Sequence, residues 1–118
     1  ATFDKSKADV DRLIGWGCAP EKIAMGLPFY GRNKKREART YRELVGERAI
    51  DPNADTIDGF AFNGRATIIL KVNLAIKRNF SGIMIWELGQ DASRKEASLL
   101  TTINQQLRLP TSKQRTKK

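Results

Sequence analysis

Residues 80–91 read FSGIMIWELGQD, from Phe80 to Asp91. Between Ile83 and Trp86 the run is apolar without a break and rich in β-branched residues, which predicts a buried strand. A half-buried strand alternates apolar with polar. Unbroken apolarity instead predicts a parallel strand covered on both faces. Glu87 follows Trp86 where the strand runs out. A large aromatic beside an acid at a strand's C-terminal end occupies the place where α/β folds bind ligands.

A second run, EKIAMGLPFYGR, extends from Glu21 to Arg32. Ile23 to Tyr30 predicts another buried strand, ended by Gly31, with Pro28 near its end where a missing N–H is tolerated. Upstream, Ser6 with Asp9 has capping-box spacing, and Val10, Leu13 and Ile14 form an apolar stripe. Gly15, Gly17 and Pro20 close that helix. Between the strands, Thr40 to Val45 suits a short helical turn and DPNAD (Asp51 to Asp55) has turn chemistry. Phe60 and Phe62 alternate before Asn63-Gly64, which predicts a hairpin with a type I′ turn there. Ile68, Ile69, Val72, Leu74, Ala75 and Ile76 fit a mostly buried helix ending near Asn79. After the opening stretch, Ser93 with Glu96 predicts a cap for a helix marked by Leu99, Leu100, Ile103 and Leu107. Pro110 closes the folded part, and residues 110–118 read as a disordered basic tail. Two parallel strands joined through a helix make a right-handed crossover unit.

The 118 residues are one domain's worth, with 40% hydrophobic and 30% charged residues, an ordinary soluble composition. No apolar run approaches the ~18 residues of a membrane helix, so no membrane partner is expected. No secretory signal pattern opens the sequence. The single Cys18 allows no internal disulfide, and the absence of His removes Ser-His and Cys-His catalysis. No cofactor or metal is expected. The net charge of +9 raises the question of nucleic acid. Yet no aromatics interleave with the basic residues and no nucleic-acid motif appears, so NKKREAR (Asn33 to Arg39) reads as a solvated loop.

Taken together, EKIAMGLPFYGR and GIMIWELGQD resemble the seventh and eighth strands of the family 18 glycoside hydrolases, the chitinase-like barrels. Lys22 to Arg32 and Gly82 to Asp91 match the two strand patterns. FNGRATIILKVNLAI resembles the connection into the last helix-strand unit, and ADVDRLIGWGCAPEK the helix and turn before the seventh strand. The resemblance covers about Thr2 to Leu107. It implies an α/β fold: a partial TIM (β/α)8 barrel, its last two parallel strands with three helices and a small hairpin insertion. Residues 1–109 would form this segment, with the insertion at about 33–66. A closed barrel takes ~250 residues, so the chain would be the last quarter to third of one.

In the family, the last strand's Trp floors the sugar subsite where cleavage occurs, a position that maps onto Trp86. The physics is independent of the family, since an indole face matches the apolar C–H face of a pyranose. Tyr30 and Arg32 would stand at the same end of the neighbouring strand as hydrogen-bond donors to sugar hydroxyls or an acetamido group, or as turn anchors. Phe29, of opposite parity, is assigned to packing. Glu87 would bond a sugar or pair with Arg32. Asp91 reads as a residue at the start of a helix or in a loop.

The family's general acid closes a D-x-x-D-x-D-x-E signature, and the substrate's own N-acetyl oxygen is the nucleophile. That signature is absent. Ser6, Asp9, Asp11 and Leu13 have the spacing but no Glu, and DPNADTID has neither. No catalytic residue is therefore assigned. DPNADTID also fails as a calcium loop, because Thr56 stands where the tight-turn Gly is needed. The expected partners are N-acetylglucosamine oligomers and, to cover bare strand edges, a missing N-terminal barrel portion or a swapped or oligomeric partner. A non-catalytic glycan-binding relative, or a basic nucleic-acid or anionic-polymer binder, are the competing readings. The resemblance implies a secreted or wall-associated location.

Overall fold

A computed structural model describes residues 2–109; the tail expected at 110–118 lies outside the described residues. The chain opens with helix α1 (Phe3–Gly15). Its cap is Thr2, not Ser6: the Thr2 hydroxyl accepts from the Lys5 N–H at 3.1 Å, so the helix starts a turn earlier and Ser6 lies within it. A short 3-10 turn at Pro20–Lys22 leads into strand β1 (Ala24–Pro28). Its partner is strand β6 (Gly82–Trp86), in parallel, with Ala24 opposite Gly82, Gly26 opposite Met84 and Pro28 opposite Trp86. The expected adjacency of the two apolar runs holds.

The expected strand from Ile23 to Tyr30 is broken at Phe29. The Phe29 N–H donates to the Trp86 carbonyl at 2.7 Å, and the Phe29 carbonyl accepts from the Tyr41 N–H at 2.9 Å. Its ring is fully buried. One residue thus ends the parallel pair and starts a second sheet. That sheet is antiparallel, ordered β3-β2-β5-β4, from β2 (Tyr30–Arg32), β3 (Ala38–Thr40), β4 (Thr56–Ile57) and β5 (Phe60–Ala61). Gly31 is required in β2, because an added Cβ would lie 2.7 Å from the Leu44 Cδ1 and 2.9 Å from the Ala61 carbonyl. The helical turn between is α2 (Tyr41–Val45), closed by a capping box between Thr40 and Glu43.

The hairpin turn sits at Asp58-Gly59, both with positive φ (51° and 81°), not at Asn63-Gly64. Gly64 instead precedes helix α3 (Arg65–Lys77). Its N–H is taken by the Asp55 carboxylate at 2.8 Å, which also accepts from the Thr67 hydroxyl at 2.7 Å. Asp55 caps from across a loop the helix start that Gly64 has no side chain to cap. α3 buries Thr67, Ile68, Lys71, Val72, Asn73, Leu74 and Ala75, as a helix does when packed on several sides. It contacts α1, β1 and β6, and the last helix, α4 (Leu99–Leu107).

The start of α4 also differs from expectation. Ser98 caps it, accepting from the Thr101 N–H at 3.0 Å, while Ser93 and Glu96 precede it. Asp91 is the main anchor. Its buried carboxylate accepts from the Leu99 N–H (2.8 Å), the Leu100 N–H (3.0 Å) and the Ser98 hydroxyl (2.7 Å). Asp91, expected in a loop or at a helix start, lies in the loop before α4 and holds that helix's start with its side chain.

The β1–β6 pair has two unlike faces. Met25, Leu27, Ile83 and Ile85 face the helices, with Leu27 1% exposed. Ala24, Gly26, Pro28, Gly82, Met84 and Trp86 alternate onto the other face. There Met84 is 52% and Trp86 60% exposed, because no described element covers it. Coverage on both faces, expected from the unbroken apolarity, is not found within this chain. The pair, its helices and its appended hairpins form a partial (β/α)8 barrel, and the open face is the one that points inward in a closed barrel.

Candidate functional site

The chain direction sets the site. Both strands run the same way, so their C-terminal ends, Pro28 and Trp86, lie side by side. Parity sets the rest. Tyr30 and Arg32 continue the alternation of Gly26 and Pro28, which places them on the same side as Trp86, while Phe29 turns inward. Three of the four residues picked out from the sequence are therefore brought together.

Shared concavities join them. One of about 260 Å³ is lined by Tyr30, Arg32, Thr40, Glu43, Trp86 and Gln90. A second, of about 240 Å³, is lined by Gly26, Pro28, Tyr30, Lys71, Met84 and Trp86. A third, of about 370 Å³, lies on the far side of Tyr30 and Arg32 against Asp55, Ala61 and Phe62. Tyr30 lines all three and Trp86 two of them. The Arg32 guanidinium lies over the Tyr30 ring, 5.5 Å from its centre, and donates to the Arg36 carbonyl at 3.4 Å.

Glu87 does not join. It follows Trp86 across a cis peptide bond and lines none of these three concavities. Its carboxylate makes no hydrogen bond or ion pair among the described residues, so the expected pair with Arg32 is not formed. Gln90 is the lining residue the sequence did not single out. It sits four residues after Trp86 on the 3-10 turn Leu88–Gln90, and its side-chain Oε1 is buried without a hydrogen-bond partner.

The site's carboxylates are committed to structure. Two hydrogen bonds from Thr40, backbone first and side chain second, hold the Glu43 carboxyl below its ordinary range. Asp55 is held at the start of α3. The Lys71 ammonium is buried and donates to the Asn63 Oδ1 at 2.6 Å. Burial lowers its pKa and the nearby Asp55 charge opposes that. The arrangement offers a flat exposed aromatic ringed by donors, which suits adsorption of a ring with one apolar face. Among the described residues no group of three His, Cys, Asp or Glu side chains is placed to hold a metal ion.

No family model matches the chain. Over 41 residues, 35% of this chain and 8% of the relative, it is 46% identical to probable chitinase 2 of Drosophila melanogaster. Among solved structures it is similar to the GH18 chitinase ChiB of Flavobacterium johnsoniae, with a TM-score of 0.78 and 33% identity, over 90% of this chain and 35% of that one. A chitinase of Bacteroides thetaiotaomicron gives 0.77 and 25%, over 92% and 39%. A plant class V chitinase mutant from Cycas revoluta, in complex with (GlcNAc)3, shares the fold at a TM-score of 0.64 and 19% identity, over 83% and 37%. The chain thus spans little more than a third of each of these three solved structures.

Proposed function

We propose a function for this chain as what it is, the C-terminal part of a chitinase-like family 18 glycoside hydrolase barrel: it supplies the floor and one wall of a glycan-binding site and no catalytic acid. The substrate class is a polysaccharide containing N-acetylglucosamine. The observation that carries this reading is the 60% exposure of Trp86 at the C-terminal end of its strand, on the face shared with Tyr30 and Arg32. An exposed indole among hydrogen-bond donors is costly to leave in water and well matched to a pyranose face.

Trp86 stacks under the sugar ring. Tyr30 and Arg32 donate to its hydroxyl or acetamido oxygens. Neither Glu43 nor Asp55 protonates a leaving group, since both hold helix starts, and Glu87 lines none of the three concavities. Hydrolysis by a protein containing this chain therefore requires an acid from elsewhere in the barrel. The open face, with Met84 and Trp86 exposed, and the strand edges beside it call for a covering partner: the rest of a barrel or a second copy. Sedimentation tests the last point. A cooperatively melting monomer at low concentration would reject the need for a partner. Calorimetric titration with chitin oligomers tests the binding role.

A further inference from the structure

The basic run Asn33 to Arg39 is built into the site rather than hung beside it. It forms the turn between β2 and β3, and the β2 residue that starts it, Arg32, lines the Trp86 concavity together with Ala38 opposite. The turn is pinned from within. Asn33 Oδ1 accepts from the Lys35 N–H at 3.0 Å and the Glu37 N–H at 2.9 Å. The Asn33 backbone N–H donates to the Glu37 carbonyl at 3.1 Å, and its side-chain amide donates to the Glu37 carboxylate at 2.8 Å. Arg36 adopts a left-handed φ of 65°, and its carbonyl receives the Arg32 guanidinium. The only acid in the turn is thus engaged by an amide. Lys34, Lys35 and Arg36 are exposed, and none of them forms an ion pair among the described residues.

Lys34, Lys35 and Arg36 line none of the concavities themselves, but their turn joins Arg32 to Ala38 and Arg39, which line the Trp86 concavity. Three exposed cations without an acid partner there attract a negatively charged ligand and do nothing for a neutral one. We propose that this turn reads negative charge on the glycan: the site favours N-acetylated glycans carrying carboxylate or sulfate groups over neutral ones. This rests on the glycan-binding reading of Trp86 and specifies its substrate class. The ring stacks on the indole, and the anionic substituent of that unit or its neighbour meets Lys34, Lys35 and Arg36.

The test uses the full chain, neutral chitohexaose, and carboxymethylated and sulfated chitohexaose as separate arms, at about 50 and about 500 mM salt. The expected result is about tenfold tighter binding of at least one charged oligomer at low salt, falling to within about twofold at high salt as screening shortens the reach of the cations. The triple variant Lys34→Gln, Lys35→Gln, Arg36→Asn, which keeps a residue tolerant of the left-handed φ, loses that preference and keeps neutral binding. Equal affinities for charged and neutral oligomers, or a preference that survives in the triple variant, would overturn the proposal. So would polygalacturonate, which has no acetamido groups, binding as tightly as the charged oligomers. Wild type binding none of the three oligomers would overturn the reading of Trp86 itself, and this inference with it.

Discussion

Trp86 stands opposite Pro28 in the parallel register of β1 and β6, at the C-terminal end of both strands, with its indole on the uncovered face. The pairing separates two jobs within one strand. Ile83 and Ile85 hold the strand to the helices, and Met84 and Trp86 are left for whatever lies on the open side. Binding and stability should therefore respond to different substitutions, and each can be tested alone.

Tyr41 links stability to alkaline pH. Its ring is 2% exposed and its hydroxyl donates to the Ala97 carbonyl at 2.7 Å. Burial raises its pKa from 10.0 to about 12. The unfolded phenol ionises first, so the contribution is intact below pH 10 and is lost as pH rises toward 12. We expect thermal stability to fall over that window by up to roughly 2 kcal/mol. Tyr41→Phe should be less stable at pH 7 but flatter between pH 10 and 12. An equally steep fall in Tyr41→Phe would contradict the assignment.

Gly64 and Gly59 make a matched pair. A Cβ on Gly64 would lie 2.1 Å from the Ala54 carbonyl, whereas Gly59 has open space and a φ of 81°. Gly64→Ala should cost more than about 2 kcal/mol, since backbone must move. Gly59→Ala should cost about 1 kcal/mol, for its left-handed backbone alone. Urea melts of the two variants would show the order; a reversed order would refute it.

Asp91 holds the start of α4 through three buried or partly buried donors beyond its own neighbour. Asp91→Ala leaves them unsatisfied, and a loss of roughly 3 kcal/mol follows. Hydrogen exchange should speed first at Leu99 and Leu100. Uniform exchange across the chain, with no early opening there, would argue against this role.

The chain alone should not turn over an aryl N-acetylglucosaminide. The Glu43 carboxylate is fixed by Thr40 and Asp55 by Gly64 and Thr67, so neither is poised as an acid. Measurable turnover by pure protein that is abolished in Glu87→Gln would show that an acid had been overlooked.

Much of this was legible in sequence, for reasons visible in particular residues. Ile83 to Trp86 and Ile23 to Tyr30 announce strands by apolarity, the second overrunning its true end at Pro28, and Thr40 to Val45 suits the short helix found at Tyr41–Val45. The resemblance implied Tyr30 and Arg32 at the same strand end as Trp86, and both line a concavity with it. Two of the misreadings share one cause: a local motif was overruled by a side chain from outside its window. Asn63-Gly64 looks like a hairpin turn, but Asp55 reaches across and makes Gly64 a helix start, leaving the true turn to Asp58-Gly59. Ser93 and Glu96 have cap spacing, but Asp91 and Ser98 already hold the donors of α4. The break at Phe29 is invisible locally because it depends on bonds to Trp86 and Tyr41. Gln90 gave no signal, since only the fold brings it beside Glu43.

The most direct measurement is titration of chitohexaose into wild type and Trp86→Ala, with melting followed for both. Covering ~100 Å² of indole is worth roughly 2–3 kcal/mol, so affinity should fall about 30- to 150-fold. The melting temperature should hardly change, because the side chain is 60% exposed. Unchanged affinity in Trp86→Ala, or a collapse of stability without a specific loss of binding, would contradict the account.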